Sequence, residues 1–153
     1  MPNWCAGDLK VRGTTKNLKR FLTEGVEFVT AYGDKKGNPV IDSEYEYKIS
    51  IEDYSYLVGT YRGFISKTTV YFENEDDREI EIIVVPAEFA WNIDVEGLVK
   101  LSKEYDVDFR IYAFEQGGQF NRDVEILEGE INRDETIEFR DYLWECICPH
   151  RGG

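Results

Sequence analysis

Two of three cysteines and the only histidine fall together in Cys146-Ile147-Cys148-Pro149-His150, and the third cysteine stands at Cys5. Three thiolates and an imidazole are a ligand set that tetrahedral zinc accepts. The spacing argues against it. Structural zinc sites usually place two residues between paired cysteines so that both thiolates turn toward one ion, whereas C-x-C in a strand aims both the same way about 7 Å apart. The competing reading is a C-terminal strand carrying small apolar thiols inward. The expectation is no metal, with Cys5, Cys146, Cys148 and His150 as the one weak candidate set.

Carboxylates are the other chemistry at hand. Asp106 with Asp108, or Glu128 with Glu130, could share a site and split their pKa values for acid–base work. At 31 acidic residues in 153, such pairs also arise by chance. The sequence has no G-x-S-x-G, no P-loop and no dinucleotide fingerprint, so the reading is non-enzymatic with no cofactor. Six acids lie within 73–81 and another six between 125 and 138. Solvated edges and loops explain them, since exposed charge protects strand edges. A sharper reading is DNA mimicry, with carboxylates standing where phosphates would.

Tyrosines gather in the middle of the chain, including Tyr45, Tyr47, Tyr54, Tyr56, Tyr61 and Tyr71. Tyrosine suits protein interfaces because it combines area with a polar tip. Tyr45, Tyr47 and Tyr71 are expected to face the core from strands, which leaves Tyr54, Tyr56 and Tyr61 as a candidate exposed patch. Arg62-Gly63-Phe64-Ile65 matches the start of an RNA-recognition signature, but Ile65 and Ser66 replace its small residue and second aromatic. Glu115, Gly117, Gly118 and Phe120 form a second candidate binding group, on a turn. There glycine could simply be required for positive φ in a tight hairpin.

The elements that must position these residues follow from periodicity. Residues 4–13 alternate, with Leu9 and Val11 on one face. Thr14 or Thr15 can cap a helix in which Leu18, Phe21 and Leu22 share a face, ending near Gly25. Residues 26–32 read as a strand, 33–39 as a turn, and 43–51 as a half-buried strand. Residues 67–72 are β-rich. Over 80–85 the apolar residues stop alternating and become continuous from Ile82 to Val85, which predicts a central strand buried on both faces. Asp94 caps a second helix with Leu98, Leu101 and Tyr105 inward and Gly97 weakening it slightly. Phe109, Ile111 and Ala113 then alternate in a strand that turns at Gly117-Gly118 into 120–127. Residues 132–135 are expected to turn the chain into 136–139, with 142–147 ending the meander or crossing back over the core. The order points to an α+β domain over 1–153, with two helices on one face of a mostly antiparallel sheet and extra strands in the middle and C-terminal regions.

A net charge of −13 repels phosphate backbones and anionic lipid, so nucleic acid is a poor partner and another protein is the expected one. No apolar run approaches the ~20 residues of a membrane span, so no membrane partner is expected. Three cysteines cannot all pair within one chain, and the start has neither a basic nor an apolar leader region; the expectation is a reducing cytoplasm.

The opening Met1-Pro2-Asn3-Trp4-Cys5, followed by Leu9-Lys10-Val11-Arg12-Gly13, resembles the start of the Api92-like (YubB) family. A second matching block runs from Ala90-Trp91 through the helix at 98–105 to Phe109-Arg110-Ile111-Tyr112 and Glu115-Gln116-Gly117-Gly118-Gln119-Phe120. The resemblance covers about half the chain and implies a ferredoxin-like core and a home on phages, plasmids or integrative elements. It brings no catalytic residues. Residues 26–80 depart from the family pattern and read as a lineage-specific insertion.

Overall fold

A computed structural model describes residues 1–28, 40–41, 48–52, 54–73 and 77–153. The expected turn at 33–39, Tyr45, Tyr47 and residues 74–76 of the first acidic stretch lie outside them.

The first strand, β1 (Trp4–Thr14), buries Cys5, Leu9 and Val11 and exposes Asp8, Lys10 and Arg12, as its alternation requires. Thr14 then caps α1 (Thr15–Glu24) by accepting the Asn17 N–H, and Leu18, Phe21 and Leu22 face inward. Short strands follow: β2 (Val26–Phe28), β3 (Val40–Ile41), β4 (Lys48–Ile51), β5 (Ser55–Leu57), β6 (Gly63–Ile65) and β7 (Thr68–Tyr71). The long β8 (Ile80–Ala90) leads to α2 (Val95–Tyr105), capped by Asp94. The chain closes with β9 (Asp108–Glu115), β10 (Phe120–Leu127), β11 (Glu130–Glu138) and the single turn α3 (Tyr142–Glu145).

Among the described residues, eight strands form one sheet in the order β11-β10-β9-β1-β8-β6-β5-β2, and β3-β4-β7 form a second. Every pairing among them is antiparallel. The molecule is therefore α+β with an antiparallel sheet. Leu9 and Val11 of β1, Phe21 of α1 and Leu98 of α2 belong to one buried cluster that also takes Ile49 and Val70 from the small sheet. Phe21 anchors it, meeting Phe109 edge-on at 5.4 Å and Tyr105 at 5.9 Å. Both long helices thus cover one face of the large sheet, and the middle of the chain shares their core. Among the described residues no helix is long and apolar enough to cross a membrane.

Four expectations are corrected. β8 lies between β1 and β6, but only Ile83 and Val85 are buried in its first half; Ile80, Ile82 and Val84 are exposed on the face opposite α1 and α2. Continuous apolar sequence here is alternation with an aliphatic outer face. Residues 132–135 lie inside β11, and the turn sits at Glu128 and Gly129, both with positive φ (52° and 74°). Two successive left-handed residues match the twist of a two-residue hairpin. The C-terminal segment is a helical turn rather than a strand: Asp141 accepts the Trp144 N–H, and Tyr142 and Cys146 turn inward. Tyr71 is exposed rather than core-facing.

Candidate functional site

The β5–β6 loop brings Tyr61 and Arg62 to the C-terminal end of β8. Thr60 Oγ1 accepts the Gly63 N–H at 3.2 Å and donates to the Leu57 carbonyl at 2.7 Å, closing the loop on itself. Asp94 then ties it to α2, with Oδ2 accepting the Tyr61 N–H at 2.7 Å and Oδ1 accepting the Gly97 N–H at 3.0 Å. A Cβ at Gly97 would stand 2.6 Å from Asp94 Oδ2, so the glycine that reads as a helix weakness is what lets this carboxylate serve two elements.

Above this brace, Tyr61 stacks on Trp91 at 6.5 Å between ring centroids, and the Arg62 guanidinium lies 5.3 Å from the Trp91 ring. Tyr61 is 65% and Trp91 47% exposed. Arg62 and Trp91 both have left-handed backbones, with φ of 51° and 64°. Bulky residues rarely adopt that region, and each such residue costs about 1–3 kcal/mol unless its surroundings hold it. Hydrogen bonds supply the hold: the Arg62 carbonyl accepts the Ala90 N–H at 3.1 Å, and the Trp91 N–H donates to the Asn3 carbonyl at 2.7 Å.

Asn3 links this cluster to the second candidate group. Its side chain lies against Gly117, where a Cβ would come within 2.1 Å of Nδ2. Glu115 is buried, and its two carboxylate oxygens accept the N–H groups of Gly117 and Gly118 at 2.7 and 2.8 Å. The left-handed residue of the turn is Gln119, with φ of 59°, so the glycines are there for space rather than for positive φ. Phe120 is half-buried against the core. The structure brings Tyr61, Arg62 and the Gly117 turn to one end of the sheet through Asn3 and Trp91, two residues that sequence reasoning did not nominate for the site. The Asn3-Trp4 and Ala90-Trp91 pairs were visible as motifs, but their convergence needs the Trp4–Ala90 pairing of β1 with β8.

No family model, curated protein or solved structure matched the chain.

Tyr54 and Tyr56 do not join the exposed cluster. Tyr54 stacks on Phe64 at 4.7 Å and donates its hydroxyl to Glu88 Oε1 at 2.5 Å, and Tyr56 packs on Phe64 and donates to the Thr60 carbonyl. Burial, with the Glu88 carboxylate adding to it, pushes the Tyr54 phenol well above its ordinary range. Tyr56 thereby braces the loop that carries Tyr61, and Tyr54 ties β6 to β8 beside it.

The thiols are not gathered. Cys5 sits in the main core, where burial and then the Glu115 carboxylate push its pKa up to about 12. Cys146 is buried with Tyr142 in a separate cluster, while Cys148 and His150 are exposed. Among the described residues no group of three or more His, Cys, Asp and Glu side chains is disposed to hold a metal. Asp106, Asp108 and Glu128 line one shallow groove with Arg12. Asp108 is already engaged there, accepting from Arg12 at 2.8 Å and from the Glu128 N–H at 2.9 Å. In the second acidic stretch, Asp134 pairs with Arg122, and neighbouring Asp123 with both Arg110 and Arg133.

Proposed function

We propose that the protein is a non-enzymatic binding module that grips another protein through Tyr61, Arg62 and Trp91. The observation that carries this reading is the left-handed backbone at Arg62 and Trp91. Backbone strain persists where something requires it, and here it supports three exposed side chains of the types that dominate interface energetics. The rim is braced by Asp94 and Tyr56, so little conformational freedom remains to be lost on binding.

The scaffold we propose is a ferredoxin-like core. The order β9-β1-β8-β6, with α1 following β1 and α2 following β8, supports it. The Api92-like resemblance and a role as a cytoplasmic accessory of a mobile element are part of the same proposal, and they rest on the two sequence blocks that meet at Asn3 and Trp91. The two alternatives have less geometric support. A DNA mimic needs rows of unpaired carboxylates, yet Asp134 is ion-paired and Arg133 interrupts the row. A carboxylate enzyme needs converging acids in a concave pocket, yet Asp108 is occupied by Arg12 in an open groove.

The test is affinity capture from host lysate with the parent protein beside Tyr61→Ser and Trp91→Ser. A stoichiometric protein should be captured by the parent and lost by both variants while their melting temperatures stay within a few degrees. Capture that ignores both substitutions contradicts the assignment.

A further inference from the structure

The face of the large sheet opposite α1 and α2 carries a second, differently built surface. Register places its side chains in rows: Val84, Lys10, Arg110 and Glu125 in one, and Ile82, Arg12 and Asp108 in the next. Ile80 and Ile82 are 61% exposed and Val84 50%, a stripe of three aliphatic side chains along one strand. Beside it run Lys10 and Arg12, both exposed. A groove of about 180 Å³ lies across the two rows, between Ile82, Lys10 and Arg110.

Lys10 is the informative residue. It stands directly across from Arg110 on the neighbouring strand, and like charges so placed are destabilising. Arg110 is answered by Asp123 and Glu125, and Arg12 by Asp108, whereas Lys10 has no ion-pair partner among the described residues. In a molecule of net charge −13, an unanswered lysine between an aliphatic stripe and an arginine is a position that an external carboxylate would complete.

We infer that this face docks an acidic, aliphatic-rich protein segment, with apolar side chains over Ile80, Ile82 and Val84 and a carboxylate on Lys10. A nucleic-acid strand fits less well, because Asp8, Asp108 and Glu125 stand on the same face between the cations and would meet a continuous phosphate backbone. The inference rests on the reading of the protein as a binding module but concerns a surface separate from Tyr61, Arg62 and Trp91.

Selection of random displayed peptides on the immobilised full chain tests it, followed by affinity measurement on the enriched peptides. Enriched sequences should combine Asp or Glu with Leu, Ile or Val. Their binding should fall at least tenfold in Ile82→Asp and in Lys10→Glu, weaken with salt, and be unchanged in Trp91→Ser. Lys10→Gln serves should Lys10→Glu fold poorly. Neutral or basic peptides blocked by Ile82→Asp would overturn the partner chemistry while leaving the binding-module reading intact. Binding that ignores every substitution on this face, or an enrichment that never appears, would overturn the docking surface itself. A single-stranded RNA oligonucleotide that binds and is released by Lys10→Glu would overturn the choice of partner.

Discussion

Arg62 and Trp91 hold backbone angles that glycine adopts at little cost, which makes them the residues at which stability and binding should separate. Arg62→Gly is expected to raise stability by about 0.5–1 kcal/mol by removing left-handed strain, while weakening partner capture. Thermal melting beside capture reads both. Glu128 has a similar left-handed backbone, set by its two-residue turn rather than by an exposed cluster. Glu128→Asn, giving Asn-Gly in a two-residue turn, should raise the melting midpoint by a few degrees and leave binding untouched. Asp123 titrates against its surroundings: burial pushes its carboxyl up, but hydrogen bonds from Arg110 and Arg133 outweigh that and hold it below the ordinary range. A depressed carboxyl stabilises the fold above the unfolded pKa of about 3.9, and that contribution is lost as pH falls through the lower folded value. Asp123→Asn should therefore melt below the parent at pH 6, with the gap closing on acidification below about pH 4. Of the three thiols, Cys148 alone should react rapidly with a thiol reagent in the folded protein, with Cys5 and Cys146 waiting for denaturant. At this scale the sequence was most legible where a residue's role is local, as with the caps Thr14 and Asp94. It was least legible where the role depends on a distant neighbour, as with Asn3 beside Gly117.

Elements show the same division. The alternation of β1 and β9 and the amphipathic spacing of α1 and α2 were readable because one side of each element faces a core and the other faces water. The outer face of β8 was not, because Ile80, Ile82 and Val84 are as apolar as the buried Ile83 and Val85, and periodicity carries no signal when both faces have one composition. Substitution distinguishes them. Ile83→Ala should cost about 2–4 kcal/mol as a core truncation, whereas Ile82→Ala should cost less than about 1 kcal/mol, read by denaturant unfolding of each. Equal costs would mean that something covers the outer face in the free protein. The turn after β10 was misplaced for a related reason: Asn132 to Glu135 have turn-like composition, but Glu128-Gly129 has the backbone geometry.

Across the whole molecule, charge and shape divide the surface. Asp123 and Glu125 of β10 and Asp134 of β11 are held by Arg110, Arg122 and Arg133, which ties together part of an acidic edge. The end of the sheet where β1, β8 and the β5–β6 loop meet carries the aromatic rim, and the face opposite the long helices carries the aliphatic stripe with Lys10. The α+β class was legible from element order alone. The eight-strand order was not, because β2, β5 and β6 join the sheet through pairings between short segments whose partners no local pattern specifies. The reading of the whole surface turns on whether Tyr61 lies in a protein interface. Its most direct test is a photo-crosslinking amino acid placed at Tyr61 and, for comparison, at the exposed Tyr71, followed by irradiation in host lysate. An interface at Tyr61 gives one adduct of defined mass at position 61 and none at 71; equal labelling at both positions, or none at 61, rules that interface out.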